Sequence, residues 1–419
     1  MPTLSPIRVC TFLQTILLSL TAATVIAQDW AQWRGPNRNN TAPEGQQVPT
    51  EWSESKNVVW KVPVPGRGHS SPIAVGDLIV LTSADEQRQQ QGVFAFDRNS
   101  GKPRWATEIS QGGFPKSHSK NTHASSTACS DGQRIYATFC HHNKVEAVAL
   151  NPAGEIVWRK DVGNFLPKIY EYGYASSPTI DNGKLIIAGE CDTVSWIKAL
   201  DTKTGRVVWG KSRPQSLNWA SPIVAHVAGR NQLVISGGEM LAAYDPENGE
   251  TLWSVPCLTM ATCGTVVWDD DTVYASGGYP KKETVAVKAD GSAQILWQNN
   301  VKCYEQSMLL HDGHLYAFDD TGIVYCWHAK TQQEMWKQRL QGPVSASPVL
   351  VGDTIYAANE KGTTFVFKAN PKAFEAIAKN QLGTESFATP TVIDDRIYLR
   401  VAADRGGNRQ EGLFAIGLK

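Results

Sequence analysis

A nine-residue phrase of the form Asp-x-x-x-Gly-x-x-x-Trp recurs along this chain and limits the folds that are open to it. Three full copies and three looser ones end, in chain order, at Trp105, Trp158, Trp209, Trp253, Trp297 and Trp336. Successive tryptophans are 53, 51, 44, 44 and 39 residues apart. Such a period is typical of repeat architectures in which each unit buries its apolar faces against its neighbours. We therefore predict that these tryptophans are structural and pack between neighbouring sheets.

Each unit also carries a second marker, in which two short β-branched runs flank a turn of Gly, Asp or Asn. The eight copies begin at His69, Ala124, Ala175, Trp219, Thr262, Glu305, Ser345 and Phe387. This pattern is typical of a β-hairpin, because these turn residues tolerate positive φ. A third apolar run and the tryptophan-ended run complete four antiparallel strands per unit. Eight such units predict an all-β, eight-bladed β-propeller.

The two ends of the repeat region indicate how the ring closes. The eighth unit stops after three strands, and a strand-like run, Asn57 to Val64, precedes the first unit. An N-terminal strand that completes the last blade would remove two open sheet edges. We therefore predict a propeller over residues 57–419 that is closed by this N-terminal strand.

The N-terminal segment has the features of an export signal. Arg8 is followed by an apolar run and by small residues at Val25 to Ala27, which predicts a signal peptide over residues 1–27. An anchoring helix is the alternative interpretation. Residues 28–56, here called the strap, are predicted to be irregular and to pack on the outside or on one face of the ring, because they contain three tryptophans. Export implies a periplasmic or secreted protein.

Composition excludes some classes of partner. The chain has 40 basic and 40 acidic residues, so it lacks the positive field that nucleic-acid binding requires. No later stretch has the length of a membrane-spanning helix. We also expect the protein to be a monomer. Seven cysteines would remain after cleavage, and whether Cys257 and Cys263 are bridged stays open.

The paired markers resemble the repeat of the pyrroloquinoline-quinone-like (quinoprotein-like) β-propeller family. The phrases WAQWRGPNRNN from Trp30 and SHSKNTHASST from Ser117 are similar to an exported, uncharacterised bacterial branch of it. The resemblance to the quinone-dependent alcohol dehydrogenases implies a cofactor at the propeller axis, an adjacent-cysteine disulfide, a tryptophan platform, calcium ligands and a catalytic Asp. This chain has no adjacent cysteines, and only Trp219 could imitate the platform. We therefore predict no catalytic residue, no metal site and no cofactor, with pyrroloquinoline quinone (PQQ) as the alternative.

Candidate binding residues come from the start of each innermost strand, where propeller blades meet at a central funnel. Six of these side chains or their loop neighbours would form a polar and aromatic cup: His69, His118, His123, Tyr174, Trp219 and Glu305. Such a cup suits a small ligand or a peptide segment. The alternative is that each is an ordinary loop residue that bonds to nearby backbone. The H-x4-H spacing of His118 and His123 is not that of a zinc site.

Three hypotheses for function follow. The first is a non-catalytic exported scaffold that binds a periplasmic or outer-membrane protein, or a small polar-aromatic ligand, at the funnel rim. The outer-membrane assembly lipoproteins of the same repeat family imply this role. The second is a periplasmic PQQ-dependent or related oxidoreductase with a modified site. The third is a carbohydrate-binding propeller.

Overall fold

Eight four-stranded antiparallel sheets make up the protein, as a computed structural model describes it for residues 29–418. Among these residues there are 32 strands and no helix. The strands of the first half are β1 (Val58–Val64), then β2 (Ile73–Val75), β3 (Leu78–Asp85), β4 (Gln90–Asp97) and β5 (Pro103–Gln111) of blade 1, β6 (Cys129–Ser130), β7 (Ile135–His141), β8 (Lys144–Leu150) and β9 (Ile156–Asn164) of blade 2, β10 (Thr179–Asp181), β11 (Lys184–Glu190), β12 (Ser195–Asp201) and β13 (Val207–Ser212) of blade 3, and β14 (Ile223–Val227), β15 (Arg230–Ser236), β16 (Met240–Tyr244) and β17 (Thr251–Pro256) of blade 4.

The second half continues the same order. Its strands are β18 (Val267–Trp268), β19 (Thr272–Gly277), β20 (Glu283–Lys288) and β21 (Ile295–Asn299) of blade 5, β22 (Leu309–His311), β23 (His314–Phe318), β24 (Ile323–His328) and β25 (Glu334–Arg339) of blade 6, β26 (Val349–Val351), β27 (Thr354–Ala358), β28 (Thr363–Lys368) and β29 (Ala376–Gln381) of blade 7, and β30 (Thr391–Ile393), β31 (Arg396–Arg405) and β32 (Asn408–Gly417) of blade 8. The predicted all-β, eight-bladed propeller is confirmed.

The turn chemistry of the repeat accounts for its hairpins. In blade 3, Asp181 pairs with Lys184, so that only Asn182 and Gly183 form the loop. Both loop residues have positive φ, 41° and 72°, which is the conformation that Asn and Gly tolerate best.

Strand β1 closes the ring. It pairs antiparallel with β32, and Trp60 lies opposite Ala415. The order in this sheet is β1-β32-β31-β30, so that the N-terminal strand is the outermost strand of the last blade. The predicted closure by an N-terminal strand is confirmed.

The tryptophan and the glycine of the repeated phrase meet across blade boundaries. Trp158 of blade 2 donates its indole N–H to the carbonyl of Thr202 in blade 3. A Cβ atom placed on Gly205 of the same blade 3 turn would lie 2.8 Å from that indole. The same contact joins Trp105 to Gly154 and Trp209 to Gly249. In these three copies the phrase recurs because the tryptophan packs on bare glycine backbone in the next blade.

The strap closes one end of the ring. Near its start, Trp30 exchanges backbone hydrogen bonds with Ala74 of blade 1. Further along, Arg38 donates to the carbonyls of Ile180 and Val224, in blades 3 and 4. Beyond these, Asn40 and Ala42 bond to the innermost strand of blade 7. A buried backbone must find such partners, and here the inner strands supply them.

Cys257 and Cys263 are free thiols, as are the five buried cysteines in the described part of the chain. Over residues 29–418 the structure contains no helix with the length and apolarity of a membrane span. The predicted signal peptide, residues 1–27, lies outside the described residues.

Candidate ligand cavity

Seven hydrogen bonds connect eight Ser or Thr hydroxyls, one per blade, at seven of the eight steps around the axis. We call these residues the hydroxyl ring. The backbone N–H of Ser71 donates to Thr127 Oγ1 at 3.0 Å, and that of Thr127 donates to Ser177 Oγ at 2.9 Å. The remaining bonds run from Ser177 to Ser221, Thr265 to Ser307, Ser307 to Ser347, Ser347 to Thr389 and Thr389 to Ser71. These hydroxyls satisfy backbone donors that have no strand partner around the axis.

Above the hydroxyl ring lies a cavity of about 590 Å³ on the propeller axis. Its wall includes the residue two positions before each hydroxyl, which we call the cavity ring. The cavity ring consists of His69, Ser125, Ala175, Trp219, Cys263, Glu305, Ser345 and Phe387. Because extended backbone directs alternate side chains to the same side, residues two apart face the axis together.

The strap forms the floor of this cavity. Trp33 lines the cavity and donates its indole N–H to Thr265 Oγ1 at 3.0 Å. Below it, the Arg34 guanidinium donates to the carbonyls of Thr265 at 3.5 Å and Met308 at 3.2 Å. Burial lowers the pKa of Arg34 to about 9, so it still carries its charge at neutral pH. The cavity therefore opens away from the strap.

One wall is aromatic. The ring of Tyr172 stacks on Trp219 with centroids 5.8 Å apart, and Tyr170 stacks on Tyr172 at 5.2 Å. His118 meets Tyr172 edge-on at 4.8 Å, and Tyr279 meets Tyr170 edge-on at 5.9 Å. Tyr172 covers Trp219, whose exposed fraction is 8%, so Trp219 is not a free platform.

The opposite wall is charged. Lys120 Nζ lies 2.7 Å from Glu360 Oε1 and 3.8 Å from Glu305 Oε1. Ser345 Oγ contacts both carboxylates, at 2.6 Å from Glu360. Because Lys120 precedes blade 2 whereas Glu360 belongs to blade 7, this ion pair crosses the mouth of the cavity.

His69 lies between the two walls. Its ring stacks on Phe387 with centroids 4.3 Å apart. Its Nε2 is buried and has no hydrogen-bond partner among residues 29–418. Burial, reinforced by nearby Arg67, holds the pKa of His69 well below its ordinary value, so that its imidazole is neutral.

The structure brings four of the six predicted rim residues together in this cavity: His69, His118, Trp219 and Glu305. It places Tyr174 elsewhere, because this residue lies three positions before its hydroxyl and faces the core, where its OH donates to the Ala188 carbonyl at 3.0 Å. His123 also lies outside this cavity, because its ring stacks on Phe114 and is held by Glu86 at 2.8 Å and by the Pro115 carbonyl at 2.9 Å.

Sequence reasoning missed several cavity residues. Ser125 and Ala175 occupy the cavity ring in blades 2 and 3 in place of the predicted His123 and Tyr174, and Cys263 occupies it in blade 5. Aligning the units on their shared Ser or Thr would have given this register. Lys120 and Glu360 carried no signal, because each lies in a loop outside the repeated phrases. No group of three or more metal-ligating side chains occurs in the described part of the chain.

Comparison with known proteins gives one family match. Residues 89–338, which are more than half of the chain, match the sequence model of the family described as outer membrane protein assembly factor BamB. The BamB protein of Burkholderia pseudomallei is 24% identical over 375 residues, covering 85% of this chain and 90% of its own. That of Bordetella pertussis is 23% identical over 372 residues, with 83% of each chain covered.

Solved structures share the fold with this chain. BamB from Moraxella catarrhalis superposes with a TM-score of 0.62 at 14% identity, over 85% of this chain and 96% of its own. The quinohemoprotein alcohol dehydrogenase of Comamonas testosteroni gives a TM-score of 0.69 at 12% identity, over 95% of this chain and 82% of its own. A europium-containing methanol dehydrogenase gives a TM-score of 0.64 at 12% identity, over 93% of this chain and 98% of its own. At these identities the likeness concerns the fold alone, which both kinds of protein share.

Proposed function

Because the chain belongs to the family of the outer membrane protein assembly factor BamB, we propose that it is an exported, non-catalytic scaffold that binds a partner protein. The partner is a periplasmic or outer-membrane protein that takes part in outer-membrane protein assembly. Binding takes place on the loops around the open mouth of the cavity, here called the funnel face.

The observation that carries this proposal is a set of exposed apolar side chains on those loops. Ile169 is 61% exposed and Tyr279 is 47% exposed, and each lies beside or within the aromatic wall of the cavity. Leu166, on the same loop as Ile169, is 37% exposed. Loops held by a rigid scaffold commonly carry binding residues, and an apolar patch on them is typical of a protein interface.

The chemistry of the cavity favours a scaffold over a quinone enzyme. PQQ is a planar polyanion, whereas three carboxylates line this cavity, those of Glu305, Asp320 and Glu360. A quinone oxidation also needs a cation on the quinone carbonyl and a base for the substrate proton. The described residues contain no cluster suited to such a cation, and they do not match the cofactor.

Site-specific photo-crosslinking in the organism that encodes this chain tests the proposal. A photoreactive amino acid at Ile169 or Tyr279 should give a crosslinked product that contains a protein of the outer-membrane assembly machinery. The matched control is Val208, which is 50% exposed but lies on β13, the outermost strand of blade 3. Equal crosslinking from Val208, or no such protein crosslinked at either funnel-face position, would contradict the proposed interface.

An activity assay separates the scaffold from the oxidoreductase. Purified protein incubated with PQQ and calcium should show no alcohol- or sugar-dependent dye reduction. Turnover that Glu305→Gln abolishes would overturn the non-catalytic proposal.

A further inference from the structure

The charged wall of the cavity contains more hydrogen-bond acceptors than its protein donors can satisfy. Ser345 has a single hydroxyl hydrogen, yet its Oγ lies within hydrogen-bond distance of both Glu305 and Glu360. One hydrogen cannot serve two carboxylates at once. Two carboxylates this close also repel each other, and the repulsion is stronger in a partly desolvated cavity than in water. This wall therefore needs a cation.

In the structure the cation is the ammonium of Lys120. This side chain reaches the two carboxylates from the far side of the cavity mouth, and it is 43% exposed. An ion pair with so exposed a partner contributes little to stability. Lys120 can therefore leave the carboxylates for water at little cost if another cation takes its place.

The surroundings of the carboxylates suit an organic cation. Tyr304 lines the cavity next to Glu305, and the neighbouring ammonium of Lys302 already lies 4.7 Å from the centroid of the Tyr304 ring. Among the residues that line the cavity, the carboxylates outnumber the ammonium groups by three to two. Aromatic faces and carboxylates together favour ammonium and guanidinium groups over neutral or anionic ones. The aromatic wall beyond them can hold an apolar body.

A second, independent observation indicates that the cavity accepts a ligand. The Nε2 atom of His69 is buried without a hydrogen-bond partner among residues 29–418, and His69 lines the same cavity. A buried polar atom without a partner destabilises the folded protein, and a ligand that bonds to it removes that penalty. The Glu305–Glu360 pair and His69 therefore offer two polar anchors in one cavity.

We propose that this cavity binds a small organic cation, an ammonium or guanidinium group on an aromatic body, at the Glu305–Glu360 pair. Lys120 is the built-in occupant of the cation site, and the ligand displaces it. The aromatic body of the ligand packs against Tyr172 and Tyr304. This inference does not depend on the partner protein proposed above.

Calorimetric titration of the full mature chain with 2-phenylethylamine at pH 7 tests the proposal. Lys120→Met removes the internal competitor while keeping an apolar stem, so the variant should bind the amine at least tenfold more tightly than the wild type. Lys116→Met is the matched control, because Lys116 lies on the same loop and pairs with Glu171 at 2.9 Å outside the cavity. Its affinity should equal that of the wild type.

Two further measurements establish that charge is recognised. The neutral analogue 2-phenylethanol should bind Lys120→Met at least tenfold more weakly than the amine. Adding Glu305→Gln and Glu360→Gln to Lys120→Met should remove the gain in affinity. Thermal melting verifies that each variant is folded, and Lys120→Gln replaces Lys120→Met if the latter melts differently. Affinity that is unchanged or weaker without Lys120, or equal affinity for amine and alcohol, would overturn the proposal.

Discussion

The indole of Trp60 lies directly against the backbone of Gly101, so that a Cβ atom added to the glycine would be 2.5 Å from the ring. Trp60 belongs to β1, the outermost strand of blade 8, whereas Gly101 lies in the turn between β4 and β5 of blade 1. The Trp60 indole also donates to the Arg98 carbonyl at 3.3 Å in that turn. The contact that joins other neighbouring blades therefore also joins the two ends of the repeat.

We expect Gly101→Ala to destabilise the ring at this boundary. The new methyl group overlaps Trp60, and overpacking of this kind costs about 1–3 kcal/mol. Gly101 also has a φ of +71°, a conformation in which alanine is strained. Gly132→Ala is the matched control, because Gly132 has a φ of +84° but open space around it. Chemical denaturation should show a larger loss of unfolding free energy for Gly101→Ala, and equal losses would contradict the inter-blade contact.

Removal of the closing strand β1 should lower the stability of the protein far more than removal of the predicted signal peptide. A chain that lacks residues 1–64 loses β1 and leaves β32 as an unpaired edge, which favours aggregation. It also uncovers the buried partners of Trp60 and Val64. A chain that lacks only residues 1–27 should melt cooperatively. Size-exclusion chromatography and thermal melting compare the two, and identical behaviour would show that β1 does not close the ring.

The sequence predicts the position of a residue in the structure only where that residue belongs to the repeat. Trp60 and β32 could be placed because each blade must have four strands. The last unit supplies only three, and the N-terminal strand supplies the fourth. His69 and Glu305 could be placed because they lie shortly before the innermost strands of their blades, β2 and β22. Tyr174 could not be placed, because successive side chains of an extended backbone point to opposite sides. An error of one residue in the register therefore exchanges a cavity residue for a core residue.

Residues outside the repeat needed the structure. Trp33 and Arg34 lie in an irregular segment, where no periodicity relates a position to a direction in space. Their partners, Thr265 and Met308, are more than 230 residues away in sequence. Lys120 reaches Glu360 over a separation of 240 residues. Only the closed ring brings such pairs together.

The strap should contribute to stability through Arg34. Arg34→Ala leaves the buried carbonyls of Thr265 and Met308 without this donor, at a cost of about 1–3 kcal/mol for each unsatisfied group. The unfolding free energy should fall by at least about 2 kcal/mol. Arg88→Ala is the control, because Arg88 is 75% exposed and its ion pair with Asp85 is worth little. Equal stability of the two variants would mean that the strap does not brace blades 5 and 6.

The neutral state of His69 predicts how stability depends on pH. Its pKa in the folded protein lies well below the ordinary value of 6.5, chiefly because burial disfavours the charged imidazolium. The unfolded chain therefore binds a proton below about pH 6.5 that the folded chain does not take up, and stability falls as pH falls. The slope from this residue approaches about 1.4 kcal/mol per pH unit until the folded pKa is reached. His69→Phe keeps a ring stacked on Phe387 and should flatten the profile below pH 6.5. Denaturant unfolding at a series of pH values measures it, and an unchanged slope in the variant would show that His69 is protonated in the folded cavity.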